Sequence, residues 1–234
     1  MDIFASTHIG YVKKKNEDRY GVSNFHDGAL LIVADGVGGN IAGHHAAKKV
    51  VETLAIIDPE EIDPEACLKG LIEKTHEDLL DKVDRFPKLE GMGATASAVF
   101  LKKDMAFWAH VGDSRLYKIE NDSIEQVTKD HTMAQFLLDE GAITVDDEGY
   151  EQSKNFLVQC VGGSECEVDS GKFKIGKGVT LLLSSDGLHD FLDDNWIHKT
   201  VVSSKNPEEA VNQLTQDVLS KGAEDNITII VVKI

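Results

Sequence analysis

Four aspartates in this chain stand where apolar runs begin or end. LLIVADGVGG (30–39) and LLLSSDGLHD (181–190) each run into Asp-Gly, HVGDSR (110–115) ends a third apolar run, and AEDNITIIVV (223–232) starts a fourth just after its aspartate. If the last run is a strand antiparallel to the others, its start shares a sheet edge with their ends, and Asp35, Asp113, Asp186 and Asp225 converge. Carboxylates gathered that closely repel one another, so they must take up protons or share a cation. An all-oxygen donor set without paired histidines or cysteines favours Mg²⁺ or Mn²⁺ over zinc, and two such ions a few ångströms apart suit phosphoryl chemistry. Gly36 and Gly187 are expected to let the backbone turn tightly beneath the metal, leaving the Gly36 carbonyl available as a ligand. A single Asp-Gly after a strand is ordinary turn chemistry. Its recurrence beside Gly-Asp-Ser-Arg and an Asp-Asn strand start points to a site.

The elements that must position these residues are legible in outline. Runs rich in β-branched residues predict strands at 29–34, 94–101, 104–111, 179–185 and 226–234. In 104–111, Met105, Phe107, Ala109 and Val111 alternate with Ala106, Trp108 and His110, so both faces are expected to be covered. Leu68, Leu71, Ile72, Thr75, Leu79 and Val83 repeat at helical spacing behind an Asp63 cap and Pro64, which predicts a helix over about 64–84. Asn206-Pro207-Glu208-Glu209 opens a last helix that Lys221-Gly222 closes, and further helices are predicted over 42–56 and 132–140. Strands and helices are grouped rather than alternating, which argues for an α+β fold: a central antiparallel β-sandwich flanked by helices on both sides, in four αββα layers. One domain over 1–234 is expected, with a flap at about 132–166 whose part 141–166 has weak periodicity and reads as mobile.

Charge narrows the function classes. The chain is 41% apolar and 28% charged, with a formal net charge of -17, which disfavours nucleic acid and anionic membranes as partners. Cys67, Cys160 and Cys166 lack the paired spacing of a zinc site or a disulfide framework and are expected to be passive thiols in a reducing cytoplasm. No leader-like N-terminus or membrane-length apolar run is present, so a soluble, unprocessed chain is expected.

KKKNED (13–18), VADGVGG (33–39), GMGAT (91–95), AHVGDSR (109–115), TKDHT (128–132), SSDGLHD (184–190) and EDNITIIVV (224–232) together resemble the bacterial branch of the metal-dependent protein phosphatases, the protein phosphatase 2C-like family. The motifs stand in the family's order and cover nearly the whole chain. The resemblance implies hydrolysis of phosphoserine and phosphothreonine in proteins, the products of a serine/threonine kinase, by direct in-line attack of a metal-activated hydroxide. It further implies that Asp35 bridges two tightly bound metals, that the Gly36 carbonyl binds one, that Asp186 and Asp225 complete the other, and that Asp113 holds a third, weaker one. Glu17 and Asp18 match acidic residues that would orient the attacking water. The family's phosphate-gripping arginine is here Lys13, which keeps the charge but loses the two-pronged hydrogen bond.

Val37 and Asn40 replace histidines that other members carry, leaving the general acid open between metal-bound water, the preferred proton source, and the nearby His44 or His45. His131 is expected to serve hydrogen bonding. Two other readings use the same residues: a two-metal nuclease, disfavoured by the charge, and an inactive regulatory module of the same fold.

Overall fold

The computed structural model describes residues 1–38 and 42–234, so Asn40 lies outside the described residues. The chain forms, in order, strands β1 (Asp2–His8), β2 (Arg19–Asn24), β3 (Gly28–Ala34) and β4 (Gly36–Val37), then helices α1 (Gly43–Leu54) and α2 (Pro64–Arg85). Strands β5 (Gly93–Ala94), β6 (Ala96–Lys102), β7 (Met105–Val111), β8 (Arg115–Glu120) and β9 (Ser123–Gln126) follow. Next come α3 (Met133–Asp139), α4 (Glu148–Ser153), β10 (Asp169–Lys174), β11 (Thr180–Ser184), α5 (Asp186–His189), α6 (Asp194–Ser203), α7 (Pro207–Ser220) and β12 (Ile227–Lys233).

Two five-stranded antiparallel sheets result, in the orders β1-β12-β11-β8-β9 and β10-β7-β6-β3-β2, with β4 and β5 as a small separate ribbon. The period of two explains how they stack. Leu31 and Val33 of β3 meet Leu181 and Leu183 of β11 and Ile230 and Val232 of β12 in the layer between the sheets. Leu30 and Ile32 face the other way, onto Ala46, Val50 and Leu54 of α1 and Leu68 and Ile72 of α2. Leu182, Ile229 and Val231 pack on Ile197 of α6 and on Val211, Leu214 and Val218 of α7. This is the four-layer αββα sandwich that the grouping of elements implies, and every residue of β3 is buried within it.

The helices begin where the sequence signals them. Asp63 accepts from the Ala66 N–H at the start of α2, and Asn206 accepts from the Glu209 N–H at the start of α7. No described helix is long and apolar enough to cross a membrane.

The sequence reading passes over β1, β2, β8, β9 and β10. β1 and β9 edge one sheet, β2 and β10 edge the other, and their polar, half-exposed faces carry little apolar alternation. Segment 141–166 carries local structure that its weak periodicity does not signal. It contains α4, Val158 donates to the His131 carbonyl, and Val161 exchanges backbone hydrogen bonds with Ala94.

Candidate metal centre

Strand polarity brings the acidic residues to one end of the sandwich. β3 and β7 both run antiparallel to β6, so Asp35 and the turn 112–114 leave the same edge of one sheet. β12 starts opposite the end of β11, with Ser184 beside Ile229, which brings Asp186 and Asp225 to the matching edge of the other. Arg19 pairs with Ala34, so Glu17 and Asp18 arrive there too.

Hydroxyl and amide side chains lock this end. Thr95 Oγ1 accepts the Asp35 N–H at 2.8 Å and contacts Ser114 Oγ at 2.7 Å, while Ser97 Oγ donates to the Ser114 carbonyl at 2.7 Å. The Asp35 and Asp113 loops are thereby tied to one another. Asp18 Oδ2 accepts from Ser185 Oγ and Thr228 Oγ1, each at 2.7 Å. Asn226 accepts the Glu17 N–H at 2.8 Å and donates to the carbonyls of Ile9 and Lys15. Thr95, Ser114, Ser185, Asn226 and Thr228 are the residues that sequence reasoning missed. Their only signal is proximity to the acidic motifs, because their partners lie up to 221 positions away.

Gly36 and Gly187 do not act as left-handed turns; neither has a positive φ. Each is required by a close approach instead. A Cβ on Gly187 would lie 1.9 Å from the Asn226 carbonyl oxygen, and one on Gly36 would lie 2.4 Å from the Gly43 carbonyl carbon at the start of α1.

Burial dominates the electrostatics. It raises the Asp35 and Asp186 carboxyls well above the ordinary range, and the neighbouring charges raise them further: first Asp18 for Asp35, first Asp113 for Asp186. Asp113 is raised to about 7 by burial and then by Asp130 and Asp190. Burial raises Asp18 as well, against its two hydroxyl donors. Glu17 Oε1, Asp18 Oδ1 and Asp186 Oδ1 are buried oxygens that find no hydrogen-bond donor among the described residues.

These buried, orphaned carboxylate oxygens are the donors a hard divalent cation binds, and the acidic set therefore fits such an ion. Among the described residues no three acidic, histidine or cysteine side chains stand at ligand spacing, so an ion held here would have to draw the carboxylates together.

Lys13 Nζ stands 2.8 Å from Asp225 Oδ1, in the field of Asp35 and Asp186. Segment 132–166 contributes one wall of a cavity of about 290 Å³, where Tyr150 and Lys154 face Asp113, Asp186 and Asp190. A larger groove, about 760 Å³ between α6 and α7, holds no such convergence of carboxylates.

The remaining sequence candidates fall beside the centre. His131 donates its N–H to the Gly112 carbonyl at 2.7 Å, accepts the Gly112 N–H at 3.3 Å on Nδ1, and so fastens the Asp113 turn. The His44 and His45 rings lie 3.9 Å apart at a tilt of 36°, and burial lowers the His44 imidazole. Cys67, Cys160 and Cys166 are free, and burial pushes the Cys166 thiol up to about 12, leaving it a poor nucleophile.

Known proteins resemble this chain in sequence and fold. A family profile described as Protein phosphatase 2C matches residues 7–221. The chain is 32% identical over 237 residues to the serine/threonine phosphatase stp of Listeria welshimeri, covering 97% of this chain and 93% of that one. It is 33% identical over 224 residues to the serine/threonine protein phosphatase PstP of Mycobacterium tuberculosis, covering 95% of this chain and 43% of the relative.

Among solved structures, the M. tuberculosis phosphatase PstP/Ppp superposes with a TM-score of 0.89 at 31% identity, covering 99% of this chain and 97% of that one. The catalytic domain of PstP in complex with two manganese ions superposes with a TM-score of 0.86 at 32% identity, covering 99% and 96% of the two chains. With the profile spanning most of its length and a relative of 32% identity aligned nearly end to end, the chain belongs to the protein phosphatase 2C family.

Proposed function

We propose that this protein is a metal-dependent serine/threonine phosphatase that hydrolyses phosphoserine and phosphothreonine in protein substrates. The observation that carries the reading is the set of buried carboxylate oxygens without donors at the edge where Asp18, Asp35, Asp113, Asp186 and Asp225 meet. In this reading Asp35, Asp186 and Asp225, with the Gly36 carbonyl, hold two cations, and Asp113 serves a third, weaker one. Mn²⁺ is the favoured metal, since a relative's catalytic domain is known with two manganese ions, and Mg²⁺ suits the same oxygen donors. Bound there, the cation supplies Lewis acidity, lowering the pKa of water and neutralising charge on the phosphoryl group.

The chain's own residues do the rest. Lys13 grips the phosphate as a point charge. Glu17 and Asp18 orient the attacking water and accept its hydrogen bonds, Asp18 being held rigid by Ser185 and Thr228. The residues form one phosphatase domain, whose segment 132–166 is a flap beside the acidic cavity. Phosphoproteins made by a serine/threonine kinase are the proposed partners, and the cytoplasm the proposed location, in keeping with the free cysteines.

The test is release of phosphate from phosphoserine, phosphothreonine and phosphotyrosine peptides with Mn²⁺, Mg²⁺ or EDTA. Metal-dependent release from the first two is expected. Metal binding without release would instead identify an inactive binding module.

A further inference from the structure

Between Cys160 and Cys166 the backbone folds back on itself. The Gly163 N–H donates to the Cys160 carbonyl at 3.1 Å, and the Cys160 N–H donates to the Glu165 carbonyl at 3.1 Å. The second bond limits how far apart the cysteines can stand. The N–Cα bond of Cys160, the hydrogen bond and the span from the Glu165 carbonyl to the next Cα reach at most about 7 Å even laid straight, and less at the angles a hydrogen bond takes. The two Cα atoms therefore fall within the separation that a disulfide bridges. The turn is also clamped. The Gly162 N–H donates to His76 Nδ1 of α2 at 3.0 Å, and a Cβ on Gly162 would lie 2.6 Å from the Met92 carbonyl oxygen. Gly163 and Gly93 leave room for the Cys160 sulfur, since a Cβ on them would stand 2.7 and 3.0 Å from it. Each thiol is half-buried, and Cys160 adds to the burial that raises the Cys166 thiol, so the two face a common space. Cys67, whose charged neighbours are Glu61 and Asp63, shares none of these contacts.

From this geometry we infer that Cys160 and Cys166 are a reversible modification site, a dithiol that a small-molecule disulfide converts into an intramolecular disulfide. One cysteine thiolate attacks a sulfur of the oxidant and expels a thiolate, and the second cysteine attacks the mixed disulfide and expels the other. Two electrons pass from the pair to the oxidant, and the two protons end on the released thiols. Burial keeps the thiolate fraction small, so the first attack is slow. A thiol of high pKa is nonetheless the stronger nucleophile once ionised, and the second attack is intramolecular. In a reducing cytoplasm the dithiol is the resting form.

The turn also leads to the acidic edge. Val161, between the two cysteines, exchanges hydrogen bonds of 2.9 and 3.0 Å with Ala94, and the following residue, Thr95, exchanges two of 2.8 Å with Asp35. Closing the bridge therefore bears on the support of Asp35. This link, unlike the bridge itself, rests on the reading of the acidic edge as a metal centre.

The experiment incubates the protein with oxidised glutathione, counts free thiols after denaturation and maps the bridge by peptide mass spectrometry. The count is expected to fall from three to one, with a mass lower by two hydrogens, a Cys160–Cys166 cross-link and full recovery in dithiothreitol. Cys67→Ser should oxidise as the wild type does, whereas Cys160→Ser and Cys166→Ser should gain mixed disulfides at most. Retention of all three thiols, mixed disulfides alone, or a bridge to Cys67 in the wild type overturns the site, and needs no variant to fold. Calorimetry with Mn²⁺ on the two forms reads the link, with a change in affinity of roughly fivefold or more expected. Equal affinities overturn the link while the bridge stands, and absence of Mn²⁺ binding by either form removes the metal reading itself.

Discussion

Lys13 reaches Asp225 across 2.8 Å, yet Lys14 beside it is exposed and makes no such pair among the described residues. Of these two lysines, Lys13 is the one whose charge faces Asp225, Asp35 and Asp186. Lys13→Ala is expected to raise KM for a phosphopeptide, with a loss of roughly 1.5–3 kcal/mol if the charge-assisted contact is fully made. Lys13→Arg should restore or improve capture, since a guanidinium offers two parallel hydrogen bonds. Lys14→Ala is the control, and alanine variants at 13 and 14 that behave alike at two salt concentrations would remove Lys13 from the site.

Asp186→Asn and Asp225→Asn are each expected to abolish turnover, because each removes a negative ligand from a site whose rate depends on bound cation. Calorimetry with Mn²⁺ should record weaker binding in both. Unchanged binding together with near-normal turnover would rule out the assignment.

Asp113 is covalently part of the turn that fastens to Thr95 and His131, so its own carboxylate can be removed without untying those bonds. Asp113→Ala should lose much activity while retaining the tightly bound pair of metals. An Mn²⁺-soaked crystal with no ion near position 113 would contradict the separate role.

Ser185 and Thr228 both donate to Asp18, whose side chain is buried. Removing either hydroxyl, in Ser185→Ala or Thr228→Val, should cost roughly 1.5–3 kcal/mol if Asp18 is ionised, since its oxygen is left short of a donor. Urea unfolding in EDTA measures this cost. A loss below a few tenths of a kcal/mol would mean that the two bonds do not hold Asp18 in place.

His110 supplies a pH dependence of definite sign. Burial first, and His131 second, lower its imidazole to about 3, while Ser97 and the Lys129 carbonyl occupy its two nitrogens. The unfolded chain protonates this residue near 6.5, so below that pH the unfolded state carries the extra proton. Stability from this group is full above about 6.5 and falls with acidification, approaching about 1.4 kcal/mol per pH unit until about 3. The raised carboxyls of Asp35, Asp113 and Asp186 work in the opposite direction, because they hold protons more tightly in the folded state. The comparison must therefore be between the wild type and His110→Gln. The difference in unfolding free energy between them should shrink as pH is lowered from 7 to 5, and a constant difference would refute the burial argument.

What the sequence made legible was polarity: apolar runs that end in aspartate, and one that starts with it, are enough to bring Asp35, Asp113, Asp186 and Asp225 to one edge. The long helices were legible through the Asp63 and Asn206 caps and their apolar stripes. β2 and β10 were not, because an edge strand with one wet face lacks the apolar alternation that marks a central one. Nor could spacing reveal that Asn226 clasps Ile9 and Lys15, or that Gly187 is needed because Asn226 approaches it, since these depend on tertiary contact alone. The contacts of segment 141–166 were hidden for a related reason: they are pairings with Ala94 and His131 rather than a periodicity of its own.

The bond from Asp18 to Ser185 and Thr228 has a mechanical consequence. Asp18 leads into β2 of one sheet, whereas Ser185 follows β11 and Thr228 belongs to β12 of the other. The acidic edge is therefore a seam, stitched by a buried carboxylate, and any ion gathering Asp35 from one side with Asp186 from the other would rivet the same seam. Loading the centre should then slow hydrogen exchange most at this end of the sandwich, around residues 18, 34, 184 and 228. The opposite end, where Gly28 pairs with Lys102 and Thr180 with Lys233, should breathe as before.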